Sequence, residues 1–331
     1  MDVSASNTTP DLPRCGPRGI AVLLFGHKLY LELTKKLAMS IRLNSPGIPL
    51  AVITSFYDPE LKELFDFVLP YEPDFGYGVI QKLSIDRYAP FDETVFIDCD
   101  CLVFGAIDDM WDKFKNVSVG VVGDMVQKGY WYTDIQALCK KTGHHAIPRT
   151  NTGLVYVRRC EESARVFERA RQLIPEYADM GFHAFRDHIS DEPLIALALA
   201  EQGIEPVHDD KQFYVTVENV YGPFAMDVMK GFCRFDTYSF DTGKMELIAT
   251  HGRIVHFPGR NREQFIYKRE LWKLNLWHYR KWKPGSASLL VNVACNPFYA
   301  AYAFVARSLK TVYLLNKRRP AMPYAIWFRW P

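Results

Sequence analysis

Asp98 and Asp100 stand two residues apart at the end of an uninterrupted apolar run, Thr94-Val-Phe-Ile-Asp-Cys-Asp-Cys-Leu-Val103. On an extended chain alternate residues share a face, so both carboxylates are expected to leave on one side. Cys99 and Cys101 then point the other way, as small buried hydrophobes. Ligands of open α/β sheets bind at the carboxyl ends of the strands. Two hard oxygen donors there can hold a Mg²⁺ or Mn²⁺ that bridges a diphosphate. Further along, Asn151-Thr152-Gly153 opens a strand. Asn151 can hydrogen-bond sugar hydroxyls and Gly153 permits close backbone approach, although the tripeptide equally suits a plain turn. Asp191 and Glu192 begin a helix pattern, where an acid is either a cap or a group that binds a sugar or takes a proton from a hydroxyl. His27, directly after the first strand, sits where a nucleotide base or ribose can lie. His144, His145, His183 and His188 read as exposed and Trp131 as core.

The elements that must position these groups follow from periodicity. Ile20–Phe25 is an apolar run of the kind buried on both faces of a parallel sheet. Leu29, Leu33, Leu37 and Ile41 repeat as one helix face, with Lys35, Lys36 and Arg42 expected outside. Leu50–Thr54 and Phe67–Leu69 read as strands around a short helix at Pro59–Phe65, and Val79–Tyr88 as a helix stopping before Pro90. Thr94–Ile97, Val117–Val122 and Leu154–Val157 read as further strands, and Glu161–Leu173 and Asp191–Gln202 as helices. A β-α-β-α order implies a right-handed, mostly parallel sheet flanked by helices, an α/β fold of Rossmann-like kind.

In order along the chain, Ile20–Phe25 with its leucine-rich helix, Gln81-Lys82-Leu83, Thr94–Val103, Asn151-Thr-Gly-Leu-Val-Tyr-Val157, Ser190-Asp191-Glu192 and Ile254-Val-His-Phe-Pro-Gly259 resemble the GT-A glycosyltransferases that use nucleotide sugars, particularly the glycogenin-like branch. The resemblance covers roughly residues 19–262. It implies a GT-A catalytic domain there, after a flexible N-terminus at 1–18. It further implies that Asp98 and Asp100 hold the metal and touch the nucleotide's ribose, with His256 a further metal ligand. Mixed carboxylate and imidazole ligation favours Mn²⁺ over Mg²⁺. Arg260 and Arg262 would meet the diphosphate charge, and Lys82 lies where the family places a basic residue near the donor. The branch follows its His-x-x-Gly with Lys-Pro-Trp, whereas this chain has Arg260-Asn-Arg262. Retention of configuration is what the branch implies.

Composition sets the outer bounds. With 331 residues, 48% of them hydrophobic and 24% charged, the chain is a folded protein with room for a large core, not a disordered or collagen-like one. From Arg253 onward there are 15 Lys and Arg against two acids, while residues 1–252 carry 25 bases and 36 acids. Residues 263–331 form a basic, aromatic, helical extension holding Trp272, Trp277, Trp282, Trp327 and Trp330. Rings mixed with cations suit the headgroup level of an anionic membrane. Leu289–Ala306 is apolar but interrupted by Asn292, Asn296 and Pro297, which fits an interfacial or re-entrant placement better than a crossing. Packing on the catalytic domain, or a homo-oligomer interface, is the competing reading. No nucleic-acid motif accompanies the charge. Seven cysteines without a C-x-x-C pair, and a polar start lacking an apolar leader core, point to a reducing cytoplasm.

These features together lead to the expectation of a metal-dependent glycosyltransferase moving a sugar from a nucleotide diphosphate sugar, a UDP-sugar by preference, to a glycan or lipid-linked acceptor. Two alternatives stand beside it: a sugar-1-phosphate nucleotidyltransferase, disfavoured by the single glycine of Phe25-Gly26-His27-Lys28, and a non-catalytic nucleotide-sugar-binding or scaffold protein.

Overall fold

The computed structural model describes residues 13–184, 188–209, 211–217, 220–239, 246–298 and 301. The chain opens with β1 (Gly16–Leu24), α1 (Lys28–Asn44), β2 (Leu50–Thr54), α2 (Pro59–Leu64) and β3 (Phe67–Pro70). β1 starts at Gly16, inside the stretch 1–18 expected to be a flexible N-terminus. Its Gly16 and Arg18 are already in register with Phe91 and Glu93. After two 3-10 turns come α3 (Ile85–Tyr88), β4 (Phe91–Ile97), β5 (Cys101–Val103), α4 (Met110–Phe114) and β6 (Val119–Val126). Then follow β7 (Tyr130–Trp131), β8 (Thr133–Asp134), α5 (Ile135–Thr142), β9 (Ile147–Arg158), α6 (Glu161–Gln172) and α7 (Asp191–Glu201). The last elements are β10 (Tyr214–Thr216), β11 (Val220–Asp227), β12 (Phe232–Ser239), β13 (Glu246–Thr250), β14 (Ile254–His256) and α8 (Phe265–Arg280), with a further helical stretch at 284–298.

The main sheet has the order β3-β2-β1-β4-β9-β6. β1 runs parallel to both β2 and β4, and β2 to β3, while β9 is antiparallel to both β4 and β6. Strand alternation sorts the side chains into two cores. Ile20, Val22, Leu50, Val52, Val95 and Ile97 face the layer containing α1, α2 and α4. Ala21, Ala51, Ile53 and Phe96 face the layer of α3, α5, α6 and α7. At Gly19 a Cβ would lie 2.4 Å from the Phe91 ring, so the close packing of β1 on β4 requires glycine there. β5 leaves the main sheet for a small one ordered β10-β14-β5, and β11-β12-β13 form an antiparallel meander.

Two expectations are corrected. Lys35 and Lys36 are not outside: they are 6% and 7% exposed, because α2 and α8 cover the second face of α1. Lys35 Nζ sits 2.8 Å from Asp58 and 2.9 Å from Glu60, and Lys36 lies over the Tyr279 ring. Val79–Tyr88 is not one helix but a 3-10 turn, Gly78–Ser84, followed by the single turn of α3. The Gln81 amide bonds the Glu72 and Gly76 carbonyls and its oxygen accepts from Tyr88 Oη, fixing a tight, irregular path behind Gly76 and Gly78.

α8 is fastened by a buried ionic network. Glu270, fully buried, accepts from Arg269 at 2.9 Å, from Lys273 at 3.0 Å and from the Val228 amide at 2.8 Å. Lys273 also reaches Asp227, 3.2 Å away, and Asp227 accepts from Ser288 and Asn292 of the following helix. Removing one partner from such a group strands a buried charge. Lys273→Met is therefore expected to lower the unfolding free energy by about 3–5 kcal/mol, measured by chemical denaturation.

Candidate active site

Three parts of the chain meet at the carboxyl end of β4. The first is the turn between β4 and β5. Asp98 and Asp100 do not sit on an extended strand as expected, but on the turn that sends the chain from one sheet to the other. This changes the placement of Cys101, which comes to the carboxylate side, while Cys99 packs against the core. Lys82, from the 3-10 turn, puts its Nζ 2.6 Å from Asp98 Oδ2.

The second part is β9. Asn151-Thr152-Gly153 does not open this strand; it lies mid-strand at a bulge, where the pairing jumps from Val121–Val155 to Val122–Asn151. The bulge turns Asn151 and Thr152 toward α7. Asn151 Oδ1 accepts from the Gly153 amide at 3.0 Å and from Tyr214 Oη, so its Nδ2 must donate, which it does to Glu192 Oε1 at 3.0 Å. A Cβ on Gly153 would stand 2.3 Å from Tyr214 Oη and 2.7 Å from His256 Nδ1. Only glycine fits.

The third part is β14. His256, 6% exposed, places Nε2 3.1 Å from Asp100 Oδ1 and 3.9 Å from Asp98 Oδ2. Its Nδ1 faces Asn151 Oδ1 at 3.1 Å and Tyr214 Oη at 3.0 Å. Because that amide oxygen can only accept, Nδ1 carries the proton and Nε2 is turned to the carboxylates. Two lone-pair bearers facing each other need a cation between them, either a shared proton or a metal. Burial disfavours the imidazolium, yet Asp100 and then Asp98 raise the His256 pKa above its ordinary value. Asp100 is held below the carboxylate range, against its burial, by His256, Lys82 and Arg262. Among the described residues, Asp100, Cys101 and His256 form the group whose ligand atoms all lie within 4.8 Å of one another, and with Asp98 beside it this donor set fits a divalent cation.

Of the two arginines, Arg262 reaches Asp100 Oδ2 at 3.7 Å and stacks over Tyr30; Arg260 is exposed on the turn Gly259–Glu263. His27 is exposed, and its Nδ1 accepts from the Leu29 amide as the cap of α1. Asp191 and Glu192 are not caps. Asp191 accepts from Thr152 Oγ1 at 2.6 Å, and Glu192 Oε2 from Tyr132 Oη at 2.9 Å. Trp131 is partly buried against the core. His183 bonds Tyr130, and His145 bonds Gln127.

Tyr132, Tyr214 and Cys101 went unrecognised in the sequence. Tyr132 occupies the left-handed region at φ 58°, strained for a bulky side chain, between β7 and β8; the aromatic triplet Tyr130-Trp131-Tyr132 was its only signal. Burial and the Glu192 carboxylate push its pKa up. Lys82 stays charged despite burial because Asp98, Asp191 and Glu192 outweigh the desolvation.

No family model and no curated protein sequence matches this chain. Solved structures do resemble it. An active-site mutant of LgtC aligns with a TM-score of 0.50 at 15% identity, over 76% of this chain and 94% of that one. The fold is GT-A. The galactosyltransferase LgtC in complex with donor and acceptor sugar analogs aligns at 0.46 and 16% identity, over 61% of this chain and 76% of that one. The bifunctional glycosyltransferase WbbM aligns at 0.48 and 12%, over 73% and 46%.

Glu192 carries a testable electrostatic signature. Burial and the neighbouring Asp191 charge raise its pKa from 4.5 to about 7, against the opposing pull of Tyr132, Lys82 and the Thr152 amide. Between those pH values the folded state holds a proton that the unfolded state has released, so stability falls as pH rises through the window. Glu192→Gln lacks this loss. Its thermal stability relative to wild type should increase from pH 5 to pH 8, by up to about 3 kcal/mol, read by melting curves at both pH values.

Proposed function

We propose that this GT-A protein is a metal-dependent glycosyltransferase that moves a sugar from a nucleotide diphosphate sugar, a UDP-sugar by preference, to a glycan or lipid-linked acceptor. The observation that carries the reading is the convergence of Asp98, Asp100 and His256 at the sheet edge, one bulge away from Glu192. Asp100 and His256, with Asp98, would hold Mn²⁺ or Mg²⁺, which when bound neutralises the charge that develops on the departing diphosphate. Arg262 is placed to add a guanidinium to that charge, and Lys82 orients Asp98 and opposes the burial that raises its pKa. Arg260, on the turn after β14, stays a proposed second phosphate contact, whereas the His27 ring is used to cap α1.

On the sugar side, Asn151, Asp191 and Glu192 are the proposed contacts. The hydrogen bonds of Asn151 and Tyr132 lock the Glu192 carboxylate, so that it meets a sugar without reorganising. Retention of configuration is supported by the glycogenin-like order of the motifs. The nucleotidyltransferase alternative is disfavoured by the start of α1, where the His27 ring itself takes a helix amide that such a site would offer to phosphate. A non-catalytic binder is separated from an enzyme by assay. Asp100→Asn is expected to abolish Mn²⁺-stimulated UDP release from UDP-sugars, falling at least about a hundredfold, while retaining the wild-type melting transition; a wild-type chain that binds UDP-sugar but never releases UDP would leave only the binder.

A membrane-bound acceptor is supported by the 284–298 helix. Ala287, Ser288, Val291 and Cys295 face inward, while Leu289, Leu290, Val293 and Phe298 are 66%, 47%, 66% and 73% exposed. Arg280, Lys281 and Lys283 precede it, exposed, beside Trp282. No helix among the described residues is long and apolar enough to cross a membrane, so the proposed contact is interfacial, on the cytoplasmic side. Arg269 and Lys273 do not contribute, being spent on Glu270. Trp327 and Trp330 lie outside the described residues. Replacing Leu289, Leu290, Val293 and Phe298 together by Ser should reduce co-flotation with phosphatidylglycerol-containing liposomes several-fold; unchanged flotation would remove this helix as the anchor.

A further inference from the structure

Cys101 joins the cation cluster through the register of the fold. β14 pairs antiparallel with β5, and His256 lies directly opposite Cys101. Directly opposed residues of such a pair project to the same face, with Cβ atoms about 4.5–5.5 Å apart. Cys101 follows Asp100 immediately, so the turn that presents the carboxylate to His256 also delivers the sulfur. The thiol is fully buried, and among the described residues its hydrogen-bond partner is the Gly153 carbonyl, 3.9 Å from Sγ, a weak partner that does not hold it away from the cluster.

We infer that Cys101 is a metal ligand beside Asp100 and His256, making this a mixed carboxylate, thiolate and imidazole site that favours softer cations such as Zn²⁺ and Co²⁺ beyond what oxygen and nitrogen donors alone would give. This rests on the cation site proposed above and adds a ligand to it. Hard oxygen donors accept Mg²⁺ and Mn²⁺, whereas sulfur shifts the preference toward Zn²⁺. Binding is a ligand exchange without redox change: the metal–sulfur bond forms, a metal-bound water leaves, and the thiol proton passes to solvent. Cys99, on the same turn, lies outside the cluster and serves as the internal control.

The test uses the full-length, reduced protein without nucleotide, titrated with Co²⁺ while the near-ultraviolet sulfur-to-cobalt charge-transfer absorption is followed. The expected result is a band saturating at one Co²⁺ per chain, retained in Cys99→Ser and lost in Cys101→Ser and Asp100→Asn. Zn²⁺ should also displace Mn²⁺, read by Mn²⁺ paramagnetic resonance, at concentrations about tenfold lower in wild type than in Cys101→Ser. Should Cys101→Ser fail to fold, the survival of the band in Cys99→Ser together with its loss in Asp100→Asn decides the matter, and a band that persists in Asp100→Asn would overturn the proposal. Co²⁺ that displaces Mn²⁺ without any sulfur band would overturn Cys101 as a ligand and leave the cation site standing. A chain that binds neither ion would overturn both.

Discussion

The contact between Asp100 and His256 holds the two sheets and the candidate site together. Burying an acid and an imidazole costs several kcal/mol for each ion unless they neutralise one another, so neither has an alternative place in this fold. The backbone repeats the constraint: the Phe257 amide donates to the Asp100 carbonyl, and the Val217 amide to that of His256. From this junction the order spreads outward. The proton on His256 Nδ1 is fixed by Asn151, Asn151 is fixed by the bulge at Gly153, and the bulge positions Thr152 and Asn151 against the carboxylates of α7. A residue near the C-terminal end of the domain thereby sets the geometry of a helix well before it in sequence.

Much of this was legible in the sequence where local physics decides. Apolar runs buried on both faces identified β1, β2 and β4, and the leucine repeat identified α1, because burial leaves a periodic trace. The position of Asp98 and Asp100 at the end of β4 was equally readable. Their geometry was not, because an alternating pattern is the same whether the chain continues as a strand or turns into a second sheet. The misplacement of Cys101 follows from that one ambiguity. Lys35 and Lys36 misled for another reason: local periodicity sees one buried helix face and cannot register that α2 and α8 cover the other. Tyr214 and Tyr132 matter through partners far away in sequence, Asn151 and His256 for one and Glu192 for the other; no local signal marks Tyr214, and the aromatic triplet around Tyr132 marks a cluster without its role.

The basic C-terminal excess illustrates how composition divides once packing is known. Arg269 and Lys273 are consumed inside the protein, where they balance Glu270 and Asp227 and bind α8 to the meander. The cations that remain exposed, Lys281 and Lys283 among them, lie next to a helix whose outer face is apolar. Packing on the domain and the proposed interfacial surface are therefore not rival readings of this region.

The charge of the site itself argues for what it accommodates. Asp98, Asp100, Asp191 and Glu192 face Lys82 and Arg262, and with His256 neutral the ionised groups leave an excess of two negative charges. One divalent cation cancels that excess. Protonating His256 and Glu192 cancels it as well, so protons would compete with the proposed cation for the same electrostatic deficit, and acidification should weaken cation binding. A diphosphate arriving alone would add to the excess and be repelled. On the proposed function, a diphosphate arriving with a cation would meet Arg262 and Lys82 in a site already near neutrality, so the side chains, more than the fold, would favour a cation that binds with or before the donor.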